Sequence, residues 1–323
     1  MTNELDSTDW KILNQLDLNC RQSDSEIGRK VRISKQVITY RIKQLLKKGV
    51  ITSFFSHINI ANLGFGIHKI YLQLGAITKE KELEMWAYLT QQPRIVWVIS
   101  CSGRWDIIFG IASRNIEEFN DVLSYFMDRF SEFVAYREIT VFNKATLHHR
   151  KWFPVANQQP VYWLLGGPIH QIPIDNVDKQ ILVMVGSDAR MSLMAMAQKT
   201  GISSSLLLQR IKKLKEKNII GAFRLGLDRQ KLGIHYCKSF VYYQNKTSVM
   251  EKSLLEYCYA LPQVLGLSQS IGPWDLELEF EVQRYDDFHH HMKSMKNSFS
   301  LIRSFDTVYI EKESGDSFLP RKL

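Results

Sequence analysis

Apolar residues recur at helical spacing in two stretches of this chain, each with a basic polar face beside them. In residues 21–50, RQSDSEIGRKVRISKQVITYRIKQLLKKGV, Val37, Ile38, Ile42, Leu45 and Leu46 fall on the stripe that a surface helix buries. Ser34 stands where an N-cap accepts a hydrogen bond from an unpaired backbone N–H. Gly49 stands where helices end in the left-handed conformation. Lys35, Gln36, Thr39, Tyr40, Lys43 and Lys47 fall on the opposite face. A shorter helix precedes this one across a tight turn. Residues 190–219 repeat the arrangement, with Ser203 as cap and Leu207, Ile211 and Leu214 as stripe. There Ser204, Ser205, Leu208, Gln209, Lys212 and Lys213 face outward. Such a helix-turn-helix is shaped to lay its second helix in the DNA major groove.

The repeat extends through most of the chain at a constant offset of 169 residues. Residues 6–18 predict a first helix, matched by Asp175–Val185, with Ile12 answering Ile181. Ile51–Ile60 and Ile220–Leu227 predict wing strands. Beyond Leu63-Gly64, Ile67–Leu74 alternates as a strand and Glu80–Gln91 is an amphipathic helix. Ile95–Cys101 and Trp105–Ala112 are two strands joined through Ser102-Gly103-Arg104, Ile116–Phe130 is a helix, and Phe133–Phe142 closes the module. That order, βαββαβ, is ferredoxin-like. Residues 236–311 repeat it, with Pro93 matching Pro262, Trp105-Asp106 matching Trp274-Asp275 and Phe119 matching Phe288. A fixed offset over this length means two copies of one two-module unit. The fold class is therefore α+β, a tandem repeat of winged helix-turn-helix and ferredoxin-like module. The expected boundaries are residues 1–62 and 63–150, a linker at 151–173, then 174–231 and 232–323. The Pro and Gly content of the linker argues against a regular element, while Trp152, Phe153, Tyr162 and Trp163 predict that it packs on a module surface.

Charge sharpens the picture. The chain of 323 residues carries a formal net charge of +9. Residues 21–50 hold nine Lys/Arg against two Asp/Glu, and residues 190–219 seven against one, so the rest of the chain is net negative. Basicity focused on two helix-turn-helix stretches is the footprint of a nucleic-acid surface. The residues expected to meet double-stranded DNA are Ser34, Lys35, Gln36, Thr39 and Tyr40 at bases or register, and Arg41, Lys43, Lys47 and Lys48 at phosphates. In the second copy they are Ser204, Ser205, Gln209, Arg210, Lys212 and Lys213. No stretch has the length of a membrane span, the polar start MTNELDSTDW does not read as a signal peptide, and the four cysteines show no CxxC spacing. These features predict a cytoplasmic protein with reduced thiols. His289-His290-His291 point around a helix rather than to one centre, so no metal site and no cofactor is expected. No Walker loop, GxGxxG, nucleophile elbow or HExxH occurs, which leaves an enzyme reading without local support.

LDSTDWKILNQL, SEIGRKVRISKQVITYRIKQLLKKGVI and the SGRWDIIF turn, with IDNVDKQIL, GISSSLLLQRIKKLKEKNII and IGPWDLEL in the second unit, resemble the Lrp/AsnC family of transcription regulators. The usual member has one such unit and dimerises through its sheet module. The resemblance therefore implies an internal pseudo-dimer, association into a homo-oligomer, and regulation of transcription tuned by an amino acid or similar small molecule. It places that effector at the glycine turns, on Ser102, Gly103, Trp105 and Asp106 and on Gly272, Trp274 and Asp275. The same turns also read as hairpins whose Trp packs into the sheet and whose Asp caps a backbone N–H. Siroheme decarboxylases share this fold, and a ligand sensor that no longer binds DNA is a third reading. The glycine-turn segments carry only Arg104 of the His and Arg side chains a tetrapyrrole pocket would use.

Overall fold

The computed structural model describes residues 5–156, 161–315 and 317–321. The first unit runs α1 (Ser7–Leu18), α2 (Asp24–Val31), α3 (Lys35–Lys47), β1 (Ile51–Ile58), β2 (Gly66–Leu74), α4 (Lys79–Gln91), β3 (Ile95–Gly103), β4 (Ile107–Ser113), α5 (Ile116–Phe130) and β5 (Val134–His148). After β6 (Tyr162–Gly166) the second unit follows as α6 (Asn176–Ser187), α7 (Leu193–Thr200), α8 (Ser204–Glu216), β7 (Ile220–Leu227), β8 (His235–Tyr243), α9 (Ser248–Ala260), β9 (Val264–Ile271), β10 (Leu276–Val282), α10 (Tyr285–Ser298) and β11 (Ile302–Ser314).

Capping repeats with the sequence. Asp6 accepts from the Thr8 and Asp9 amides at the start of α1, and Asp175 accepts from Asp178 at the start of α6. Ser34 and Ser203 accept from Val37 and Leu206. The turn before each second helix is left-handed, at Arg32 (φ 62°) and at Gly201 (φ 72°). Ile38, Ile42 and Leu45 are buried, as are Leu207, Ile211 and Leu214. Val37 and Leu46, which the spacing placed on the buried stripe, are each 40% exposed. The three-helix core is small enough that a narrower stripe covers it.

Each wing is a single strand rather than a hairpin. β1 pairs antiparallel with β7 of the other unit, with Phe54 opposite Leu225 and Phe55 opposite Arg224. This sheet is thus a joint between the two helix-turn-helix modules. A paired exchange of arginines reinforces it. Arg21 donates to the carbonyls of Ala189 (2.6 Å) and Met191 (3.3 Å), while Arg190 donates to those of Cys20 (2.6 Å) and Gln22 (3.1 Å) and pairs with Asp24 (2.6 Å).

The two ferredoxin-like modules share one sheet in the order β2-β4-β3-β11-β8-β10-β9-β5, closed by a β2–β5 pairing. The long strands β5 and β11 make closure possible. β5 pairs first with β2 of its own unit and then with β9, and β11 pairs first with β8 and then with β3. Closure removes the open edges that a lone sheet would present. Inside, Tyr71, Trp105, Phe240 and Trp274 meet, with Tyr71 and Trp274 rings 4.6 Å apart. These aromatic strand residues are buried within the internal pseudo-dimer. Helices α4 and α5, and α9 and α10, cover the outer faces.

The connecting segment differs from its sequence reading. Despite the neighbouring glycines and prolines, Tyr162–Gly166 forms a strand on β5, with Leu147 opposite Trp163. Gly166 and Gly167 adopt φ +80° and +91° just after it, so their freedom serves the exit from the strand rather than disrupting it. Phe153 is buried against Trp10 and Trp152.

Candidate nucleic-acid interface

On α3 the side chains of Ser34, Lys35, Gln36, Tyr40, Lys43 and Lys47 are exposed together, as is Lys48 beyond its end. Tyr40 is 62% exposed on this same face. On α8 the exposed set is Ser204, Ser205, Leu208, Gln209, Lys212 and Lys213. Both helices thus present their first turn and a Lys-bearing face to solvent. Each first turn also offers unsatisfied backbone N–H groups, a natural seat for a phosphate oxygen. The two faces differ in chemistry, with long donors and a phenol on α3 and short hydroxyls with an exposed leucine on α8.

Three of the expected DNA contacts have other partners. Arg41 lies 2.7 Å from Asp6 and 2.9 Å from Asp9, and Arg210 repeats this with Asp175 (2.7 Å) and Asp178 (2.8 Å). Hydrogen bonds to Arg41 and to the Asp9 amide hold the Asp6 carboxyl below its usual range. Asp175 is lowered by the Asp178 amide and by Arg210. Both arginines are among the expected DNA contacts, Arg41 at phosphates, and instead they tie each recognition helix to the start of the first helix of its module. Thr39 donates to Asp24 (2.5 Å) and to the Lys35 carbonyl (3.0 Å), so it holds α2 on α3. Only part of the sequence's positive charge therefore faces outward, because Arg21, Arg41, Arg190 and Arg210 are engaged internally.

The glycine turns are equally occupied. Asp106 accepts from the Leu74 amide and Asp275 from the Tyr243 amide, both at 2.8 Å. Trp105 and Trp274 are buried in the barrel core. Ser102 and Gly103 remain exposed on one side and Gly272 on the other. A Cβ on Gly103 would lie 2.6 Å from the Thr307 carbonyl, and one on Gly272 would lie 2.5 Å from the Thr140 side chain. The glycines let the turn of one unit approach a strand of the other. One oxygen of each aspartate is thus committed to a backbone amide.

The sequence reading missed a chain of buried charges. Along β10, Glu277, Glu279 and Glu281 alternate with Leu276, Leu278 and Phe280, which would ordinarily put the glutamates in water. Here they point inward. Glu277 lies 3.0 Å from Lys69 and 3.2 Å from Lys238, and it accepts from the Tyr71 hydroxyl at 2.6 Å. Glu281 pairs with Arg150 (2.9 Å) and Arg229 (2.7 Å), and Arg150 also pairs with Asp17 (2.7 Å) on α1. Burial raises the glutamate carboxyls, but the facing cations outweigh it and hold Glu277 and Glu281 at about 2. A signal was available in the basic residues Lys69 and Lys238, 169 apart and each within an otherwise apolar strand.

Among the described residues no three His, Cys, Asp or Glu side chains gather as a metal site, and no helix is long and apolar enough to cross a membrane. His289 Nε2 lies 2.9 Å from the Tyr309 hydroxyl.

Comparison with known proteins agrees with this architecture. A winged helix-turn-helix DNA-binding family model matches residues 5–52 and again residues 174–220. The transcriptional regulator Ptr1 of Methanocaldococcus jannaschii is 36% identical over 121 residues, 37% of this chain and 80% of that protein. The proline dehydrogenase transcriptional activator of Rhodobacter capsulatus is 30% identical over 125 residues, 38% of this chain and 80% of its own. Among solved structures, the siroheme decarboxylase NirDL superposes with a TM-score of 0.62 at 13% identity, covering 95% of this chain and 92% of that one, and shows that the two-unit fold is shared. With two helix-turn-helix modules, two ferredoxin-like modules and these relatives, the chain belongs to the Lrp/AsnC family of DNA-binding transcriptional regulators, with two units fused in one polypeptide.

Proposed function

We propose that this regulator binds one DNA site of two unlike halves, α3 in one major groove and α8 in the next, under the control of a small-molecule effector in the cytoplasm. Lys35, Gln36 and Tyr40 read bases in the first half. Ser204, Ser205 and Gln209 do so in the second, with Leu208 beside a thymine methyl. Lys43, Lys47, Lys212 and Lys213 neutralise phosphates. The observation that carries the reading is the exposure of the same face on both recognition helices while their clamps and caps are conserved in geometry across the repeat.

The test is a salt titration of binding to fragments of the source genome, with the absorbance spectrum recorded on the same stock. Lys43→Glu is expected to weaken binding to all fragments and to reduce the salt slope by about 1. Lys212→Glu is expected to do the same if the second unit touches DNA. Unchanged affinity in both variants removes DNA reading by these helices. A tetrapyrrole band, with no DNA binding, would replace the regulator by the decarboxylase reading.

A further inference from the structure

Between the β1–β7 sheet and the barrel lies a cavity of about 240 Å³. An apolar cavity of about 150 Å³ already accepts benzene, so this one has room for a ring bearing a short side chain. Phe55, Trp97, Phe142 and Leu147 supply apolar wall. The polar wall contains buried atoms without a hydrogen-bond partner, although Arg224 itself stacks on Trp163. Arg224 is 4% exposed and its Nη1 has no partner, because its neighbour Asp17 (3.3 Å) is shared with Arg150. His57 Nδ1 and both ring nitrogens of His148 are also buried without partners. These three side chains arrive from β1, β7 and β5. A buried polar atom left unpaired costs about 1–3 kcal/mol and more when charged. Arg224 Nη1 is a donor and each neutral imidazole has one ring N–H to give, its other nitrogen being an acceptor, so the lining of this cavity favours an occupant that carries an acceptor group.

The cavity straddles the pseudo-twofold axis, since residues related by the 169 offset line it together. Lys69 faces Lys238, Phe55 faces Arg224, Ile67 faces Tyr236 and Ile99 faces Ser268. In a true homodimer these walls would be identical and would suit a symmetric occupant. Fusion has let paired positions diverge, so that Phe55 stands where the other unit has Arg224 and Ile99 where it has Ser268, and polar and apolar groups line the cavity side by side. Such a space fits a molecule with one charged and one apolar end.

We propose that this cavity binds a small aromatic carboxylic acid, its carboxylate on Arg224 and the imidazoles of His57 and His148, its ring against Phe55, Trp97 and Phe142. Its regulatory consequence rests on the transcription-regulator reading. β1 and β7 carry the helix-turn-helix modules, so an occupant touching both them and the barrel couples ligand to the DNA-binding face.

The experiment is isothermal titration of the full chain with phenylpyruvate, using phenylethanol as the probe that keeps the ring and lacks the carboxylate. Saturable one-to-one binding of phenylpyruvate is expected, with phenylethanol at least tenfold weaker. Arg224→Gln is expected to lose at least tenfold. Leu147→Trp fills the cavity without touching a charge and is expected to abolish binding while circular dichroism shows the fold intact. If Arg224→Gln does not fold, Leu147→Trp decides. No saturable binding, or unchanged affinity in folded Leu147→Trp, overturns the inference. DNA binding is measured on the same stock. Its retention without ligand binding removes this inference alone, and ligand binding without DNA binding removes the regulator reading alone.

Discussion

A histidine with no partner is a proton-sensitive weakness in a core. Burial first, and then the positive charge of Lys151, His149 and Arg224, pushes His148 down to about 3. His57 is lowered well below its ordinary value by burial and by Arg224 and Arg150. His148 is therefore neutral in the folded chain at pH 5, while in the unfolded chain it charges near 6.5, and His57 is displaced in the same direction. From about pH 6.5 downward the unfolded state holds more protons, so stability falls as the solution is acidified. The buried glutamates are displaced downward as well, but from a lower starting value, so they contribute loss only as pH drops below about 4.5, outside this window. Denaturant unfolding at pH 7 and pH 5 should thus show a loss of roughly 2 kcal/mol from His148, with His57 adding in the same direction. His148→Gln should remove its share of that loss. The same pH dependence in the variant would show that His148 does not titrate on unfolding. Arg41 and Arg210 belong to the same scale. Each looked like a free cation in sequence, and each is fixed by two aspartates, one of which, Asp6 or Asp175, also caps the helix.

At the scale of elements, closure of the barrel depends on how closely a turn of one unit can approach a strand of the other. Gly103 sits at φ +118° with the Thr307 carbonyl where its Cβ would be. Gly103→Val combines left-handed backbone cost, about 1–2 kcal/mol, with overpacking of about 1–3 kcal/mol. Gly233→Ala, at φ +66° with open space around it, should pay only the backbone part. Thermal unfolding of the two variants separates these, and equal losses would mean that contact with β11 does not constrain the turn. Period and spacing made most elements legible, including both recognition helices and the βαββαβ order, because their amphipathic stripes answer only to local burial. What failed to show were features set by the other unit. β1 reads as half a hairpin because its partner β7 lies 169 residues away. Glu277, Glu279 and Glu281 read as a wet face because their cations come from β2, β8 and the segment after β5. For Asp106 and Asp275 the capping of a backbone N–H was legible as one of two readings, but that the amides belong to Leu74 and Tyr243, some thirty residues earlier, was not.

The whole molecule sets the geometry of its DNA site. In a dimer of separate chains the two reading helices are identical, and the site tends to mirror that symmetry. Here one chain supplies both, joined by β1–β7 pairing, the Arg21 and Arg190 exchange and a closed barrel, so their separation is rigid while their chemistry differs. Selection from random DNA should return two unlike half-sites about one helical turn apart, some 10 base pairs. Inserting five base pairs between them turns one half to the opposite face and should cost more than tenfold in affinity. Inserting ten restores the face but not the distance, so a rigid chain should fail there too. Recovery at ten would mean that the halves are bound by modules free to move or by separate chains. A perfectly palindromic consensus would assign the site to two chains, each using one helix-turn-helix, and would leave α8 without a role in reading DNA.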